Sequence, residues 1–398
     1  MKVLLLCLRV PWPLTDGGNL AMMNMAEMLR DAGHDVTIFA LNTKKHFVST
    51  EDIPEKIFKG IRLVSTPIDT GIRVNKALRN LFRPNESYNV ARFHDSTAAA
   101  RLKELVQKEK FDIVQFESLF TTTYLPIVRA NSSARVVLRA HNVEHIIWER
   151  LSREAGNQLR KSYLKFLAKR MKKYESAVVK EMDGILPISP LDEPFFLDNA
   201  PKNSVCTIPM GIDLNAYSLQ TNASLQLFHL GAMDWLPNQE GIKWFLDTCW
   251  PLIHVQHSEL QLHLAGRGFP AALIDNSIPM VSFTGAVKDA QEFMQDKQIM
   301  IVPLHSGSGL RIKILQGLAL GKTIIATSVG AEGIDVTDGK NILIANTPEE
   351  FEQKVTYCIA DEARCKSIGL AGRKLIEEKY SGTVLGGKVA DYYRQLLL

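Results

Sequence analysis

Arg311 and Lys313 stand just behind a turn that holds two glycines, His305-Ser306-Gly307-Ser308-Gly309. The apolar run 299–304 before the turn has the length of a buried parallel strand. After it, Leu310, Ile314, Leu318 and Ala319 recur at helical spacing, which predicts a helix over 310–320. Gly321 sits where such a helix stops. A second apolar run, 323–327, and a turn at Gly330 follow. Strand, glycine turn, helix, strand is a βαβ unit, and its loop lies at the carboxyl end of a strand, where open α/β sheets bind ligands. The N–H groups of Ser308, Gly309 and Leu310 would point from the helix start at an anion. Cations in a first turn oppose the helix dipole, and a bound phosphate or diphosphate resolves that conflict. The plainer reading is a glycine turn with two solvated basic side chains.

The elements that must hold this loop recur along the chain. Strands are expected over 2–9, 35–40, 111–116, 135–139, 183–188 and 205–208, then over 225–230, 260–265, 281–284, 299–304 and 323–327. The polar stretch 215–224 lacks periodicity and reads as a linker. A chain of 398 residues exceeds one ordinary core. We therefore expect a first domain over 1–215, a second over 216–382, and a last helix, 383–398, that packs back on the first. The fold class is α/β, with two Rossmann-like domains on parallel sheets, facing each other across a central cleft that takes the ligand.

Composition narrows the function. A net charge of +4 is too small to argue for nucleic acid, and none is expected as a partner. Five cysteines, scattered and without a C-x-x-C pair, favour reduced thiols and a cytoplasmic setting. Residues 1–10, MKVLLLCLRV, read as the first strand, since Pro-Trp-Pro and a Gly-Gly turn follow rather than a small-residue cleavage site. Gly17 and Gly18 fall in the loop 10–19, before a helix over 20–32. The fingerprint G-x-G-x-x-G is absent, so no dinucleotide site is expected.

Residues 143–180 read as one basic helix. Leu159, Tyr163, Phe166, Leu167 and Met171 make a stripe among seven lysines and arginines. Its 159–180 part suits an anionic membrane surface, or is an ordinary solvated helix. The basic stretch 72–92 receives no firm element. His141-Asn142-Val143-Glu144-His145 matches the zinc pattern H-x-x-E-H, which makes a zinc hydrolase a rival. The pattern starts directly off a strand and has no clear third ligand, so no metal is expected.

Several segments together carry a family resemblance. FHLGAMDWLPNQEGIKWF (228–245), LHLAGRG (262–268), VSFTGAV (281–287) and GSGLRIKILQGLALGKTIIATSVGAEGI (307–334), with RAHNVEH, LPIS and IPMGID in the first half, resemble the retaining GT-B glycosyltransferases of the "glycosyl transferases group 1" class. The resemblance covers nearly the whole chain. It implies a hexosyltransferase-like enzyme that moves a sugar, with retention, from a nucleotide sugar to a glycan or lipid-linked acceptor in cell-surface polysaccharide assembly. No metal or other cofactor is implied.

Carried over by position, the resemblance implies that Gly18 faces the donor phosphates and that Arg267 lies near the nucleotide. Gly307, Ser308, Gly309 and Leu310 form the diphosphate loop, and Arg311 and Lys313 neutralise the leaving group. Gln316 takes the ribose position. From its place near the Gly330 turn, and not from the resemblance, Glu332 reaches the nucleotide or sugar, or is an ordinary loop residue. Read from their places after strands rather than from the resemblance, Glu117 orients the acceptor or steadies an oxocarbenium-like centre, or is a solvated loop residue, and His141 contacts the donor or acceptor, or is a structural histidine. The chain departs from the class at several points. The two glutamates eight positions apart are Ser308 and Gln316 here. The Arg and Lys common after the second domain's first strand are missing, where Met233 and Asn238 stand, and Arg311 and Lys313 are the substitutes. Glu117 occupies the place of a donor-contacting His. These departures motivate an alternative, a nucleotide-sugar-binding protein of the same fold without turnover.

Overall fold

The computed structural model describes residues 1–14, 16–71, 87–219, 223–307 and 309–398. Ser308 and most of the basic stretch 72–92 lie outside the described residues. Contacts divide the chain into Met1–Gly211 with Leu385–Leu398, and Ile212–Val384. The sequence predicts these boundaries after 215 and 382.

The first unit holds six parallel strands: β1 (Lys2–Cys7), β2 (Asp35–Thr43), β3 (Ile61–Ile68), β4 (Ile113–Glu117), β5 (Arg135–Ala140) and β6 (Gly184–Pro187), in the order β3-β2-β1-β4-β5-β6. A sheet covered on both faces needs strands that are apolar throughout, and β1 shows why. Leu4 and Leu6 enter one core with Phe39, Val114 and Phe116, while Val3, Leu5 and Cys7 enter the other with Met22 and Ile38. The edge strand β3, IRLVSTPI, escapes sequence reading because its apolar residues are broken by Arg62, Ser65, Thr66 and Pro67.

Helix α1 spans Gly17–Asp31 and so begins earlier than expected, capped by the Asp16 carboxylate. The single helix expected over 143–180 is two, α2 (Glu144–Glu154) and α3 (Gln158–Val179). Gly156 interrupts it, and Asn157 caps the new start by accepting from the N–H groups of Leu159 and Arg160. The strand expected over 205–208 is only an isolated bridge, Ile185 to Val205.

The second unit repeats the topology with β7 (Ser224–Leu230), β8 (Leu262–Ala265), β9 (Val281–Gly285), β10 (Lys297–Val302), β11 (Thr323–Ala326) and β12 (Leu343–Ile344), ordered β12-β11-β10-β7-β8-β9. Helix α4 (Leu236–Trp244) follows β7, and α5 (Ile312–Ala319) follows β10. The latter starts two residues later than its apolar spacing suggests, because Arg311 has left helical backbone (ψ 85°) and serves as the N-cap. The chain ends in α6 (Gly382–Leu397), whose Leu385, Val389, Tyr392 and Tyr393 complete a core of the first unit. Among the described residues no helix is long and apolar enough to cross a membrane.

In each sheet the strand order reverses at one place, between β1 and β4 and between β7 and β10. In doubly wound sheets the carboxyl ends of the strands at such a reversal are the usual ligand position. Glu117 ends β4 at the first of these points, and the loop that leads to Arg311 and Lys313 follows β10 at the second.

Candidate active site

At the β7/β10 switch point, Lys313 reaches from α5 to the loop after β7. Its Nζ donates to Asn238 Oδ1 at 2.8 Å and lies 3.3 Å from His229 Nε2. Asn238 Nδ2 donates to the Ala232 carbonyl at 2.8 Å, which turns Oδ1 toward the amine. His229 donates through Nδ1 to the Ile301 carbonyl at 2.9 Å, so its Nε2 lone pair faces Lys313. Burial first, and the Arg311 guanidinium second, push the Lys313 amine down to about 7. Burial, then Lys313, holds His229 well below the usual imidazole range. A Cβ on Gly231 would fall 3.0 Å from Lys313 Nζ, so glycine leaves that side of the amine bare. Gly266 (φ 150°) permits another close approach, for a Cβ there would stand 1.7 Å from the Gly231 carbonyl oxygen.

Arg311 does not stand out from a first helical turn. It is buried, donates to the Gly309 carbonyl, and lies 5.5 Å over the Trp235 ring, which also packs against Gly307. Leu310 precedes the cap, outside the helix. Arg267 is half exposed, with Nε donating to Asp234 Oδ2 at 3.1 Å. Gln316 Nε2 donates to the Tyr217 hydroxyl at 3.1 Å. Glu332 is exposed in the turn after β11, and Ser308 lies outside the described residues.

The β1/β4 switch point is built differently. Register places Cys7 beside Glu117 and Glu117 beside Arg139. Glu117 is fully buried, so it offers no surface to a sugar, contrary to the expectation that it orients the acceptor directly. Its Oε1 accepts from Gln115 Nε2 at 2.5 Å and its Oε2 from His141 Nε2 at 2.9 Å. Gln115 Oε1 in turn accepts from the Tyr393 hydroxyl on α6. The Arg139 guanidinium is also fully buried, 3.7 Å from Glu117, with no hydrogen-bond acceptor on any of its three nitrogens among the described residues. Burial lowers its pKa from the ordinary value, and Glu117 opposes that. His141 is the end of this network that reaches solvent.

Ser118, next to Glu117, has φ 119° and ψ 151°, a backbone region that glycine alone adopts easily. Strain of about 1–3 kcal/mol at such a residue marks functional positions more often than ordinary loops. Gly18 proves to lie in the first turn of α1 rather than in a loop. Its N–H donates to Asp16 Oδ1 at 3.0 Å, and a Cβ would meet Arg9 Nη2 at 2.9 Å. Arg9, bonded to Asp16, is therefore the cation of that loop, which the sequence reading passed over. The zinc pattern separates: His141 pairs with Glu117, whereas His145 Nδ1 pairs with Glu175 at 2.7 Å. Among the described residues no group of three His, Cys, Asp or Glu could hold a metal ion.

Residues 15–216 match the family model described as Glycosyltransferase Family 4, and residues 224–361 match Glycosyl transferases group 1. An uncharacterized 44.6 kDa protein from the cps region of Klebsiella pneumoniae is 20% identical over 392 residues, covering 95% of this chain and 96% of that one. HepE of Anabaena, solved with UDP, has a TM-score of 0.67 at 13% identity, covering 99% of this chain and 100% of HepE. Sucrose-phosphate synthase from Thermosynechococcus elongatus has a TM-score of 0.70 at 15% identity, covering 100% of this chain and 99% of that one. At these identities the structures share the fold, and the first family model alone spans half of the sequence. The chain belongs to the glycosyltransferases, its first half matching Glycosyltransferase Family 4 and its second Glycosyl transferases group 1.

Proposed function

We propose that the protein transfers a sugar, with retention, from a nucleotide sugar to a glycan or lipid-linked acceptor in cell-surface polysaccharide assembly. The observation that carries this reading is the Lys313 amine at the β7/β10 switch point. It is flanked by Asn238, His229 and Arg311, and no carboxylate among the described residues counters its depressed basicity. Glycosyl transfer from a nucleotide sugar releases a nucleoside diphosphate, and stabilising its growing charge is the chief electrostatic task. A diphosphate oxygen beside Nζ makes the ammonium favourable again. Arg311 and the backbone of Gly307, Gly309 and Leu310 shape the same loop. Arg267, Gln316 and Glu332 flank the nucleotide end, and Gln316 can hydrogen-bond a ribose without charge. Fixed cations take the role that a metal takes elsewhere.

On the first unit, His141 serves the acceptor or the sugar. With its Nε2–H given to Glu117, its Nδ1 lone pair accepts a hydrogen bond from a hydroxyl. Glu117 is a positioning residue that fixes this tautomer. HepE, solved with UDP, with UDP and glucose, and with UDP-glucose, supports a uridine nucleotide as the first donor to try. The Klebsiella relative's place in a cps region supports polysaccharide assembly.

A thermal-shift panel of UDP, GDP, ADP and their sugars tests the donor site, since a ligand that binds only the native state raises the melting temperature. One nucleotide should stabilise the wild type and not Lys313→Ala. No shift with any nucleotide, from folded protein, would defeat the reading. Retention requires the first product anomer, observed by proton NMR, to match the donor. The alternative of binding without turnover is favoured by Gln316, which is turned to Tyr217. Donor consumption with a family of glycan acceptors would eliminate it.

A further inference from the structure

The α2–α3 hairpin carries more apolar surface than folding uses. Along α3, Leu164, Ala168, Met171 and Glu175 form the inward stripe. Leu159, Tyr163 and Phe166, spaced i, i+4 and i+7, form a second stripe that is 83%, 59% and 43% exposed. At 3.6 residues per turn the two stripes lie about 140° apart. The single stripe seen in the sequence is thus split, with Met171 inside and Leu159, Tyr163 and Phe166 outside. Isolated exposed apolar side chains are ordinary, but three in one row on one helix face are not.

The flank beside this stripe is strongly basic. Residues 158–174 hold seven lysines and arginines and no acid, whereas the whole chain nets only +4. Lys161, Lys165, Lys169 and Lys172 line a groove of about 690 Å³ between the helices, and Phe166 lies at its wall; from α2 it receives Arg153 and Glu149, which pair with each other at 3.7 Å. The hairpin is also firmly held. Glu175 of α3 accepts from the N–H groups of Glu144 and His145, which caps the start of α2 with a buried carboxylate.

We propose that this hairpin docks on an anionic lipid bilayer, with Leu159, Tyr163 and Phe166 entering the headgroup region and the flanking lysines pairing with lipid phosphates. An exposed apolar row beside a flank whose α3 side, residues 158–174, is basic and without acids is the pattern of a helix lying in a membrane interface. A bilayer with acidic lipids offers both an apolar layer and a plane of negative charge. Combined with the glycosyl-transfer reading, docking selects lipid-linked acceptors over free glycans. That step rests on the reading, whereas the docking itself does not.

Vesicle co-sedimentation without donor or acceptor tests the docking separately. The protein should sediment with phosphatidylcholine–phosphatidylglycerol vesicles, much less with phosphatidylcholine alone, and should be released by salt. The triple variant Lys161→Glu, Lys165→Glu, Lys169→Glu should lower partitioning at least about hundredfold, at roughly fivefold per lost basic charge. The triple variant Leu159→Ser, Tyr163→Ser, Phe166→Ser should weaken binding and make what remains more salt-sensitive. Val255→Ser, at an apolar residue 81% exposed in the second unit, should change nothing. Folded wild type that ignores acidic vesicles, or binding that survives both triple variants at unchanged melting temperature, would overturn the proposal.

Discussion

The two switch points share a strand order and differ in charge. At β1/β4 the cation has its counter-charge inside the fold, Arg139 beside Glu117, and only His141 leads outward. At β7/β10 the amine has neutral partners, Asn238 and His229, and a second cation nearby. The first arrangement carries its own counter-charge and orients one imidazole. The second is left electrostatically unsatisfied, and an anion satisfies it. The lesson is that one topology supports two tasks, according to whether the counter-anion comes from the chain, as the Glu117 carboxylate, or from the substrate, as a diphosphate.

The largest effect should come from breaking the first site. Glu117→Gln removes the only charge that faces buried Arg139 in the described network. It should cost about 3–5 kcal/mol in urea unfolding, as when one partner of a buried ion pair is lost. The unsatisfied site should behave in the opposite way. Lys313→Ala should leave stability nearly intact or raise it, while lowering kcat about 10²–10³-fold, the scale for removing one donor to a developing oxyanion.

pH sharpens the contrast further. With the free amine near 7, diphosphate binding above pH 7 must draw in one proton, and affinity should fall about tenfold per pH unit above it. Calorimetry in buffers of different ionisation enthalpy would count that proton. In the free protein, unfolding takes up a proton between pH 7 and the ordinary lysine value of 10.5, so the fold gains stability as pH rises through this window. The smallest change is at Ser118. Ser118→Gly should add about 1 kcal/mol of stability by relieving its positive φ, and any accompanying loss of turnover would mean that the strain aims Glu117.

Much of this was legible in residue order, for a physical reason. Strands buried on both faces are written as apolar runs, so the ends of β1, β4, β5, β7 and β10, and with them Glu117, His141 and the Arg311–Lys313 loop, can be found by inspection. The edge strand β3 is less apolar and was missed. A glycine inside a periodic stretch is ambiguous: Gly156 ends a helix, whereas Gly18 lies within one. Tertiary partners were not legible at all. Asn238, set down as a departure from the class pattern, is where Lys313 donates across 75 residues of chain. The amine therefore reaches the region after β7 although it is carried by α5. Nor does any sequence signal reveal that Glu117 is sealed behind His141, or that Ser118 is strained.

The division of labour between the two switch points can be measured directly by titrating UDP into three folded proteins: wild type, Lys313→Ala and His141→Ala. The account predicts that Lys313→Ala loses measurable affinity while His141→Ala binds UDP as the wild type does and loses only turnover, by about 10²-fold for a general base or acceptor contact. Equal UDP affinity in wild type and Lys313→Ala, or equal loss in both variants, would contradict it.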